Sequence, residues 1–118
     1  MATDIDREMA EKVMRLFQKL DDFTNVVYWC DGAVYPTQFV MPVKNWHPST
    51  DIGQALGDGK SFDTVVGKMR ERGFCFKLEC RASGEFIAVF YKNHIRFVGE
   101  YYTPAMAICK AALACVEE

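Results

Sequence analysis

The only acid–base pair that short spacing could bring together lies in Trp46-His47-Pro48-Ser49-Thr50-Asp51-Ile52. If one turn carries His47 and Asp51, the imidazole and carboxylate can meet and move a proton. The same residues also read as a helix start. Pro48 cannot continue a strand, and Ser49 or Thr50 can accept a hydrogen bond from an orphan N–H. Asp51 suits the positive end of a helix dipole. Capping accounts for Pro48, Ser49, Thr50 and Asp51 without chemistry, so no catalytic residue is assigned. Trp46 and His47 remain as side chains that could give a ligand site its specificity.

A second kind of chemistry is anion binding. Residues 68–96 hold seven basic residues against three acidic ones, while the rest of the chain is acidic on balance. Arg70, Arg72, Lys77, Arg81, Lys92 and Arg96 are the candidates for phosphate. Trp46, Tyr91 and Tyr102 are the candidates for stacking on a base. Tyr101 and Tyr102 are adjacent, so in a strand they face opposite ways. With His47, these residues form the expected ligand-binding set.

Other chemistries leave no trace. Gly-x-Ser-x-Gly, His-Glu-x-x-His and a phosphate-binding loop ending in Lys-Ser/Thr are all missing. Gly57-Asp58-Gly59-Lys60-Ser61 lacks the spacing of the last and reads as a flexible loop. His47, His94 and the five cysteines form no zinc spacing, so no metal and no cofactor is expected.

The elements that must position these residues follow from periodicity. Ile5, Met9, Val13, Leu16, Phe17 and Leu20 recur at helical spacing, predicting an amphipathic helix of about four turns that stops at Asp21-Asp22. Val26 to Cys30 is a strand candidate, followed by an Asp31-Gly32 turn. Gln38-Phe39-Val40-Met41, between Pro36 and Pro42, reads as a short edge strand or extended loop. A short helix is expected over residues 51–56. Phe62, Val65, Val66 and Met69 mark another helix, with Gly73 as its C-terminal cap. Residues 74–81 alternate, with Phe74, Phe76, Leu78 and Cys80 on one face. Residues 86–91 read as a central strand, Lys92-Asn93 as a turn, and residues 94–102 as a third strand. Short connections make these three an antiparallel meander. Thr103-Pro104 starts a last helix, apolar almost all round. That helix must be covered on several sides, as a core helix or at a subunit interface.

At 118 residues the chain is expected to form one domain. Half of it is hydrophobic and its net charge is −2. Neither membrane nor nucleic-acid binding is expected from whole-protein charge. The odd cysteine number and polar N-terminus suggest a reducing, cytoplasmic setting.

The chain resembles the phage ABA sandwich domain family. The likeness rests on Met9-Ala10-Glu11-Lys12-Val13-Met14 and Pro48-Ser49-Thr50-Asp51-Ile52. It continues in Val65-Val66-Gly67-Lys68-Met69-Arg70-Glu71-Arg72-Gly73-Phe74 and Thr103-Pro104-Ala105-Met106-Ala107-Ile108-Cys109-Lys110-Ala111-Ala112-Leu113. By helix periodicity, about seven residues around 57–61 are extra to the family pattern. The resemblance implies an α+β fold: an antiparallel sheet with a C-terminal three-strand meander, packed with helices in an α-β-α sandwich. It implies a phage or prophage origin, and it transfers no enzymatic activity and no catalytic residue.

By analogy with small phage accessory factors, the expectation is a non-enzymatic protein that counters bacterial immunity in the cytoplasm of the infected host. Its specific form is a homo-oligomeric sponge for an anionic small molecule, a nucleotide immune signal. The alternative is a protein–protein inhibitor of a host defence nuclease or effector, in the manner of an anti-CRISPR. Asp4, Asp6, Asp21, Asp22, Asp51 and Asp58 would be its acidic surface.

Overall fold

The computed structural model describes residues 4–20, 25–30, 40–61 and 63–116. The chain opens with α1 (Asp4–Glu8), whose Asp4 and Asp6 suit the positive end of the helix. Residues Met9–Val13 then wind as a π-helical turn. This wider turn shifts the phase of the helix, and Met9, Ala10, Val13 and Met14 are all buried. Helical winding ends before Arg15, which holds a left-handed φ of 57°.

Here the structure corrects the expected four-turn helix. Phe17–Leu20 is a strand, β1, paired antiparallel with β2 (Val27–Cys30). Phe17 and Leu20, expected on the apolar helix face, are 59% and 58% exposed. Cross-strand hydrogen bonding overrides local periodicity at these positions. β2 also pairs with β3 (Val40–Pro42), giving a three-stranded sheet in the order β1-β2-β3. The expected turn at Asp31-Gly32, the helix stop at Asp21-Asp22, and Pro36, Gln38, Phe39 and Phe62 lie outside the described residues.

A 3₁₀ turn (Val43–Asn45) leads into Trp46. α2 (Ile52–Ala55) and α3 (Val65–Glu71) follow, and then the second sheet. That sheet is the expected antiparallel meander of β4 (Cys75–Cys80), β5 (Phe86–Lys92) and β6 (Ile95–Tyr101), with β5 central. The fold is therefore α+β, with the meander packed against α4 (Pro104–Val116).

Register fixes the two faces of the meander. Phe76, Phe90 and Phe97 share one cross-strand row, and Leu78, Ala88 and Gly99 share another. This inner face meets α4, which buries Ala105, Ala107, Ile108, Cys109, Ala111, Ala112 and Leu113. Gly99 permits the close approach. A Cβ there would run into the Ala107 carbonyl oxygen and the Ala111 amide nitrogen. α4 also touches α2, α3 and the π-helical turn. Its all-round apolar surface is thus covered within one chain, so that surface no longer argues for a subunit interface.

The outer face carries Lys77, Glu79, Ile87, Val89, Tyr91, Arg96, Val98 and Glu100. None of them joins the core cluster, and Tyr91 and Val98 are 38% and 47% exposed. Among the described residues, no helix is long and apolar enough to cross a membrane.

Candidate functional site

The segment from Trp46 to Asp51 is a structural joint. Asp6 is fully buried, and its carboxylate accepts the Ser49 amide at 2.9 Å. Its backbone carbonyl accepts Trp46 Nε1–H at 3.1 Å. Trp46 is also fully buried. The structure therefore corrects its expected stacking role: this ring belongs to the core and offers no face to a ligand. Asp51 is the N-cap of α2, accepting the amides of Gly53 at 2.9 Å and Gln54 at 3.3 Å. His47 Nδ1 lies 3.3 Å from Thr50 Oγ1, and its amide donates to Gln54 Oε1. The imidazole thus meets Thr50, while the Asp51 carboxylate holds backbone N–H groups. That geometry favours capping over proton transfer.

The 57–61 segment, read from sequence as flexible, is a tied turn. Asp58 accepts the amides of Lys60 and Ser61, both at 2.8 Å, and the Ser61 hydroxyl at 2.9 Å. These bonds, the backbone one from Ser61 foremost, hold its carboxyl down to about 2. Thr64 caps α3 through the Gly67 amide and donates its hydroxyl to the Ser61 carbonyl. Arg70 donates to the Gly59 carbonyl at 2.7 Å. One nominated phosphate ligand is therefore already engaged with this turn.

The nominated residues do not form one site. Lys77, Tyr91 and Arg96 meet in a hollow of about 510 Å³ on the outer face of the meander. Tyr91 and Arg96 are direct cross-strand partners, and Lys77 pairs with Val89. The β5–β6 turn adds Asn93 and His94 to the same hollow. Asn93 takes a left-handed φ of 59°, which asparagine tolerates better than most residues. Neither was nominated from sequence, although Asn93 belongs to the predicted turn and His94 follows it. Counting register outward from it is the signal that finds them.

The cations of the outer face are interleaved with carboxylates. Lys77 pairs with Glu79. Its hydrogen bond and charge, with further help from Arg81 and Arg96, hold the Glu79 carboxyl below the usual carboxylate range. Arg81 sits 3.9 Å from Glu100. Arg81 and Tyr102 lie at the opposite end of the meander, since Arg96 opposes Tyr91 while Tyr101 opposes Phe86. Six steps along the chain, roughly 20 Å, lead from Arg96 to Tyr102. Arg81 and Tyr102 are therefore corrected out of the hollow. Arg72 and Lys92 are corrected out as well, because both line a separate cleft.

No protein-family model, curated protein sequence or solved structure matches this chain.

Proposed function

We propose that this is a phage-encoded, non-enzymatic protein of the ABA-sandwich kind that sequesters a nucleotide immune signal in the cytoplasm of the infected host. The observation that carries the reading is the convergence of Tyr91, Lys77 and Arg96 on one open hollow. A half-exposed aromatic ring offers a base a stacking surface, and a neighbouring guanidinium and ammonium suit phosphate. Asn93 and His94 add hydrogen-bonding groups at the rim, the sort that distinguish one base edge from another.

The alternative, an inhibitor that masks a host defence protein through an acidic surface, has less support. Asp6 is buried, and the carboxylates of Asp51 and Asp58 are bonded to their own backbone. For the homo-oligomer of the sponge reading, the support moves from α4 to the first sheet. Phe17 and Val40 flank Cys30 in one cross-strand row and are 59% and 56% exposed. Light scattering reads the assembly state directly.

Titration calorimetry against a panel of cyclic and linear nucleotides tests the function. Saturable binding by at least one of them is expected, weakened by Tyr91→Ala and by Arg96→Gln. Failure of every nucleotide to bind would sink the reading.

A further inference from the structure

A second basic site sits on the other side of the β5–β6 hairpin. This cleft, of about 500 Å³, is rimmed by Lys12, Arg15, Arg72 and Lys92. Met69, Phe74 and Val116 supply apolar lining. Its four cations come from four places in the chain: the π-helical turn, two residues past it, the C-cap of α3 and the end of β5. Sequence separation hides the cluster, because Lys12 and Arg15 read as the solvated face of a longer helix.

Two of the cations are tied at the cleft by bonds to backbone carbonyls. Arg72 donates through Nη2 to the Val13 carbonyl, tying α3 to the π-helical turn. Lys92 Nζ donates to the Arg72 carbonyl at 3.0 Å and lies 5.5 Å from the centre of the Phe74 ring. Each of these bonds leaves further N–H groups on the same side chain. Lys12 has an exposed partner, Glu8, at 3.4 Å. Among the described residues, Arg15, Arg72 and Lys92 have no carboxylate within ion-pair distance, and the lining itself carries none. The Arg72 guanidinium is held below its usual range by burial first and by the Arg15 charge second. Among the described residues this leaves net positive charge over an apolar floor, with Glu71 offsetting Arg72 in part, and such a place suits an anion.

We propose that this cleft binds a phosphomonoester carried on an apolar or aromatic body. The phosphate would lie among Arg15, Arg72 and Lys92, and its body against the half-buried Phe74 and Val116, with Met69 buried beneath them. Lys92 covers the Phe74 ring, so the site reads charge and apolar bulk, not a stacked base. This inference stands apart from the nucleotide reading of the outer face and survives its failure.

The test is calorimetry of the full chain with phenyl phosphate and with inorganic phosphate, at low and moderate salt. Phenyl phosphate should bind more tightly, with affinity falling as salt rises. Arg15→Gln and Lys92→Gln should each weaken it about tenfold, as for a lost charge-assisted hydrogen bond. Tyr91→Ala should leave it unchanged. Lys12→Gln, at an exposed position, provides a charge variant that keeps the Arg72 and Lys92 backbone bonds, and a severalfold loss is expected. No binding of phenyl phosphate, equal binding of inorganic phosphate, or full affinity in correctly folded Arg15→Gln and Lys12→Gln variants would overturn the proposal.

Discussion

Two hollows flank the same β5–β6 hairpin, and they treat their cations differently. On the outer face, Lys77 pairs with Glu79 and Arg81 lies beside Glu100, while Tyr91 keeps an exposed ring. In the inner cleft, Arg15, Arg72 and Lys92 have no carboxylate within ion-pair distance among the described residues, and the aromatic ring of its lining is covered by Lys92. The outer site is built around a ring with moderated charge. The inner site is built around charge with an apolar floor. A local excess of basic residues in sequence therefore says little about potential. What decides it is which side of a strand each residue takes and where its carboxylate neighbours fall.

The largest expected effect removes both sites together. Gly99→Ala places a methyl group against the backbone of α4, forcing the helix away from β6. Overpacking of this kind costs about 1–3 kcal/mol, and more where the obstacle is backbone. Thermal unfolding should shift down sharply, and ligand binding at both hollows should weaken. An unchanged melting temperature would mean that α4 and the meander are not packed as described.

The next effect separates the sites. Tyr91→Ala should weaken nucleotide binding by about tenfold or more, the range for losing one stacked base, and should leave phenyl phosphate binding intact. Combining Arg15→Gln with Lys92→Gln should do the reverse. Equal losses for both ligands in either variant would merge the two sites into one.

A smaller effect tests the moderating role of Glu79. Glu79→Gln frees Lys77, so anion binding on the outer face should rise severalfold, roughly the value of an exposed ion pair. Acid should act in the same direction. Because the Glu79 carboxyl is depressed in the folded protein, its favourable pairing is present above the ordinary carboxylate value and is lost as pH falls through the depressed one. Outer-face anion affinity should therefore rise on acidification in the wild type and stay flat across that window in Glu79→Gln. A parallel rise in both proteins would remove Glu79 from the account.

The C-terminal half of the fold was legible because its signals agree. Alternation in β4, turn residues after β5 and Thr103-Pro104 before α4 all point one way, and the packing follows them. The first helix was not legible past Val13. Leu16, Phe17 and Leu20 keep helical spacing, yet a π-helical turn changes the phase and Arg15 turns the chain into a strand. The same change of course at Arg15 hides the inner cleft, since a continued helix would not turn the chain there. Trp46 failed as a ligand residue for a different reason. Nothing local marks an aromatic side chain as buried when its partner, Asp6, lies forty positions away. The helix start at α2 needed no distant partner. Its cap falls on Asp51, whose carboxylate accepts the Gly53 and Gln54 amides, and not on the Ser49 or Thr50 hydroxyl expected from residue type.

The most direct test of the central claim is nucleotide titration calorimetry of the wild-type chain beside Tyr91→Ala. Saturable binding of at least one nucleotide to the wild type is expected, with an affinity about tenfold or more lower in the variant. Wild-type affinity in a folded Tyr91→Ala protein, or no nucleotide binding at all, would contradict it.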